Sequence, residues 1–148
     1  MILDERNEFA DATALDTAGT GRVLVGDVID LGATSRDIGN GQPLYAVIQV
    51  DTAVTSGGSA TVSFEIASDA QAAIAVDGTA TVHAVTAAIP KASLVAGYLV
   101  AAVALPIGSY ERYLGIIQNV GTAALTAGKI NAFLTTDVAK WVATPDGI

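Results

Sequence analysis

The side chains able to do chemistry are few, and their spacing builds no known reaction centre. The chain has one histidine, His83, and no cysteine. Nucleophilic catalysis would need that imidazole beside a positioned serine and carboxylate, and the sequence has no Gly-x-Ser-x-Gly elbow. His83 is expected on the solvent face of a strand, with Thr79 and Thr81, where its replacement by alanine would shift stability by less than about 0.5 kcal/mol. Asp27, Asp30 and Asp37 with Asn40 could offer oxygens to calcium, but their spacing matches no calcium loop and reads as solvated strand-end carboxylates. Gly19-Thr20-Gly21 precedes a strand and follows an acidic stretch, whereas a dinucleotide-binding glycine loop follows a strand and opens a helix. Glu65 and Glu111 are the only glutamates in the middle of the chain, and nothing in the spacing brings them together as a glycosidase pair would require. The expectation is a protein without a catalytic site, cofactor or metal.

Charge narrows the partners. Fifteen acidic residues face seven basic ones, for a net charge of −8, and the basic residues form no cluster. Nucleic-acid binding draws most of its affinity from phosphate neutralisation, and this field has the wrong sign. The longest uncharged stretch, 92–110, is interrupted by Gly97, Pro106 and Gly108. What remains, Tyr98 to Leu105, is far short of the roughly 20 apolar residues of a membrane span. Neither nucleic acid nor membrane is expected as a partner. Asp4, Glu5 and Glu8 stand where a secretion signal would be basic and then apolar, so no targeting segment is expected.

The elements that would carry these residues read as strands. Residues 1–21 are acidic and irregular and read as an arm, its isolated Ile2, Leu3 and Phe9 suited to packing on another chain. On that reading, deleting residues 2–16 leaves the melting temperature of the remainder nearly unchanged. Strands follow at 22–31, 44–54 and 61–67, the last alternating Val62, Phe64 and Ile66 against Thr61, Ser63 and Glu65. Asp77-Gly78 supplies the positive φ of a hairpin turn joining 72–76 to 79–85. Further strands fall at 98–105, 112–120 and 129–136. The tail, 137–148, holds the only tryptophan, Trp141, which with Val138 and Val142 would share one face of a helical turn, either folded on its own core or anchored in a partner. This pattern predicts an all-β antiparallel sandwich or jelly roll over 22–136, with an arm at 1–21 and a tail at 137–148.

Several segments, taken in order, resemble the capsid cement (decoration) proteins of short-tailed bacteriophages. They are Met1-Ile2-Leu3-Asp4 with Asn7, Phe9 and Asp11; Val28-Ile29-Asp30-Leu31-Gly32; Pro43-Leu44-Tyr45; and Ala92-Ser93-Leu94-Val95-Ala96-Gly97. Glu111-Arg112-Tyr113-Leu114 and Thr126-Ala127-Gly128-Lys129-Ile130-Asn131-Ala132-Phe133-Leu134 complete the set. The resemblance implies a jelly roll that self-associates, as a homodimer in preference to a trimer. It would sit on the outer surface of a virion, bridging major capsid protein subunits after assembly in the host cytoplasm. Ile2, Leu3, Phe9 and Trp141 are the candidate partner-binding residues. The alternative is a carbohydrate- or receptor-binding jelly roll of a phage particle, since one fold serves both roles.

Overall fold

The computed structural model describes residues 4–32, 36–38 and 40–138. It contains strands β1 (Glu8–Ala14), β2 (Gly21–Asp30), β3 (Arg36–Ile38), β4 (Tyr45–Thr55), β5 (Thr61–Asp69), β6 (Thr81–Val85), β7 (Ile89–Pro90), β8 (Leu99–Ala104), β9 (Gly108–Tyr110), β10 (Tyr113–Gly121) and β11 (Ala127–Thr135). All pairings are antiparallel. One sheet runs β1-β11-β4-β8; a second runs β2-β10-β5-β6, with β7 also on β5; β3 and β9 form a two-stranded ribbon. The all-β sandwich expected from the sequence is what the chain adopts, and among the described residues no helix is long and apolar enough to cross a membrane.

The core lies between the two large sheets. Period-2 alternation sends Ile48 and Val50 of β4, Phe64 and Ile66 of β5, Ile116 of β10, and Ile130 and Ala132 of β11 into one buried cluster. A smaller cluster forms on the outer face of the second sheet, where Ile74 and Ala80 pack on Ala67 and Ile117. The segment before Asp77 therefore corrects the hairpin expectation: 72–76 is not a strand, and β6 pairs with β5. The Asp69 carboxylate accepts from the amides of Gln71 (3.2 Å) and Ala75 (3.0 Å), winding this segment into a loop that lets Ile74 cover the sheet. Asp77-Gly78 is still a turn, with the Asp77 carboxylate accepting from Thr79 N (3.0 Å) and Gly78 at φ +99°.

The N-terminal segment is the larger correction. Residues 8–14 are not an arm: they form β1, an edge strand of the first sheet paired with β11, and Phe9 is 1% exposed inside the core of its own chain. Two amide side chains, the half-buried Asn131 and the buried Gln118, hold the segment. Asn131 Oδ1 accepts from Ala12 N at 2.6 Å, and Gln118, fully buried, accepts from Asp16 N at 2.8 Å while donating to Asp16 O at 3.1 Å. Ile2, Leu3 and Trp141, together with most of the 137–148 tail, lie outside the described residues.

Candidate interaction surface

His83 is not the free surface histidine expected from its strand. On β6 it stacks on Tyr110, with ring centroids 3.8 Å apart, and its Nε2 lies 2.7 Å from Ser68 Oγ. Ser68 is fully buried and also accepts from Glu111 N at 3.1 Å, while the Tyr110 hydroxyl donates to Pro106 O at 2.7 Å. The serine is thus sealed away from any substrate, and the group ties β6 and β5 to the corner 106–111. Partial burial pushes the His83 pKa below its ordinary value. The unfolded chain therefore binds more protons than the fold between that lowered value and about 6.5, so this contribution is complete above about 6.5 and is lost as pH falls. His83→Ala is expected to cost about 1–2 kcal/mol at pH 7, through the lost stack and an underused Ser68. The variant should also lose less stability than the unmodified protein between pH 7 and pH 5, as read by denaturant melts. A cost below about 0.5 kcal/mol would place the imidazole outside the packing, as the sequence reading had it.

Two carboxylates of the second sheet are committed to ion pairs. Asp30 receives a two-pronged bond from Arg112, Nε at 3.0 Å and Nη2 at 2.8 Å, plus the Gly32 amide at 2.9 Å. Its carboxyl is held at about 2, first by the Arg112 bond and then by Gly32. Glu65 forms an ion pair with Arg22 across the outer face of the second sheet. Glu5, Glu8, Asp11 and Asp27 line a groove of about 460 Å³ beside β1, yet among the described residues no group of three or more acidic or histidine side chains is arranged to hold a metal ion.

The edges of the sandwich differ sharply. On one side β1 lies directly against β2, and both carry devices that discourage pairing with another chain: a bulge at Ala12 (φ 44°), Gly26 at φ +69°, and the carboxylates of Glu8, Asp11, Asp27 and Asp30. On the other side the edge strands are β6, Thr-Val-His-Ala-Val, and β8, Leu-Val-Ala-Ala-Val-Ala, neither bearing a charged residue. A groove of about 290 Å³ opens between them, walled by Ala84 and Val85 and by Val100 and Val103, with Ile48 and Phe64 of the core among its lining. Its one polar lining side chain is already engaged: Thr86 Oγ1 accepts from Phe64 N (2.9 Å) and donates to Ala87 O (3.2 Å). Val85 is 62% and Leu99 47% exposed on these strands. The surface is suited to contact with another polypeptide: apolar, edge-on, and poor in groups that act on a small substrate.

Of the four partner-binding candidates read from the sequence, Phe9 faces inward and the other three fall outside the described residues. The two edges went unread because β6 and β8, though close in the chain, belong to different sheets and become one surface only after folding. The available signal was the uncharged stretch 92–110. Segments of the resemblance are brought together elsewhere, with Asp30 of Val28-Ile29-Asp30-Leu31-Gly32 opposite Tyr113 of Glu111-Arg112-Tyr113-Leu114.

No curated protein matches the chain. A family model, Bbp16, matches residues 9–134, from the second residue of β1 to the next-to-last of β11. Since that match takes in both large sheets and well over half of the sequence, the chain belongs to the Bbp16 family.

Proposed function

We propose that the protein is a capsid decoration protein, a structural clamp that binds the outer surface of a tailed-phage head and bridges coat-protein subunits. The observation that carries this reading is the pair of uncharged edge strands opening onto one apolar groove, in a chain of the Bbp16 family whose His83, Asp30 and Glu65 are engaged in structural bonds. Every main-strand connection except β5 to β6 passes from one large sheet to the other, and we read that winding as a jelly roll. Self-association as a homodimer belongs to the same proposal. An acidic exterior suits the outside of a DNA-filled shell, because it is repelled by the contents and does not compete for them. Weak contacts repeated over many sites then hold the shell firmly. The carbohydrate- or receptor-binding alternative gains nothing from the groove, which presents no polar cluster and no exposed aromatic platform.

An interface made of apolar area and backbone pairing responds weakly to ionic strength, since salt screens charges and leaves buried apolar area unaffected. Purified heads carrying the protein should therefore retain it from low salt to near 1 M, and heads lacking it should break at lower temperature. The measurement is protein released across a salt series. Complete release at moderate salt would show that charge pairing holds the protein and would overturn this account of the clamp.

A further inference from the structure

We propose that the groove between β6 and β8 receives an extended, uncharged segment of a partner chain, which adds to the free edge of β8 as a fifth strand of the first sheet. The inference rests on the decoration reading and names its mode of contact. Among the described residues no strand pairs with the edge of β8 that faces away from β4, and its row of backbone donors and acceptors stands beside the groove beneath its inner face. A strand added there would lay alternate side chains over Val100 and Val103 toward Ile48 and Phe64, closing the open side of the sandwich as β1 and β2 close the other.

The chemistry of the occupant follows from the lining. An uncharged wall selects small or β-branched apolar side chains, because a charge entering the groove would lose its water and find no counter-ion. A second folded copy does not fit this role. Its edge strand would bring the rest of its own sandwich up against the groove, and with it a further net charge of −8. A free segment carries neither burden.

The test uses the full chain and purified heads stripped of it, with three proteins: unmodified, Ala101→Lys on the groove wall of β8, and Val23→Lys on guarded β2 as the control. Binding to heads should fall at least tenfold for Ala101→Lys and stay unchanged for Val23→Lys. Because a lysine on β8 could also unsettle the fold, hydrogen exchange of the unmodified protein gives a second readout: amides within Leu99–Ala104 that exchange freely in solution should become protected on the head. Unmodified protein that binds with those amides still unprotected, or Ala101→Lys binding normally, overturns the strand-addition inference and leaves the decoration reading standing. Concentration-dependent protection of the same amides without heads would identify a second copy as the occupant and overturn it too. If the unmodified protein does not bind heads, the decoration reading falls and this inference falls with it.

Discussion

Gly26→Ala is expected to destabilise the protein by about 3–5 kcal/mol, combining left-handed backbone strain with a steric clash. Gly26 sits in β2 at φ +69°, and a Cβ built there would lie 2.0 Å from the carbonyl oxygen of Phe9. That neighbour is backbone, so it cannot turn aside as a side chain could. β1 and β2 would have to separate, drawing Phe9 out of the core. For a domain of this size the loss corresponds to a fall in Tm of roughly 10 °C or more. Gly41→Ala is the matched control: Gly41 has φ +95° but nothing within 4 Å of its Cβ position, so only backbone strain of about 1 kcal/mol applies. Denaturant melts of both variants separate the two causes. Equal losses would mean that the close approach of β1 to β2 contributes nothing.

The strands legible in the sequence were those whose own side chains state the pattern. Val62, Phe64 and Ile66 alternate in β5, Ile130, Ala132 and Leu134 alternate in β11, and each triplet enters the core. β1 was illegible because Glu-Phe-Ala-Asp-Ala-Thr-Ala has one large apolar residue; its place in the sheet is set by Asn131 and Gln118, more than 100 positions away. Local pattern carries no trace of a partner that distant. The stretch 72–76 failed for the opposite reason: Ala72, Ala73, Ile74, Ala75 and Val76 read as a strand, but Asp69 supplies the hydrogen bonds that a ladder would have supplied. His83 shows the same limit, since alternation placed it outward and tertiary packing laid Tyr110 across it. Short β3, β7 and β9 hold two or three residues each, too few for a period to show.

Deletion of residues 2–16 is expected to abolish or severely weaken folding, the reverse of what an independent arm would do. The deletion removes β1, Phe9 and Leu15, and it leaves fully buried Gln118 with neither of its partners at Asp16 and the edge of β11 uncovered. Phe9→Ala alone should cost about 3–5 kcal/mol, as truncations of buried aromatics do when the site cannot collapse. Gln118→Leu isolates the polar part: the side-chain volume is nearly kept while the Asp16 N–H and C=O lose their partners, for roughly 1–3 kcal/mol. Thermal or denaturant melts of the three variants should rank the deletion first, Phe9→Ala second and Gln118→Leu third. A deletion that melts with the unmodified protein would return residues 1–21 to the status of an arm. The ranking also governs how occupancy on heads is read. A truncated chain that fails to bind would report the loss of β1 from the scaffold, so the partner surface has to be probed at β6 and β8, where a substitution can reach the groove and leave β1 in place.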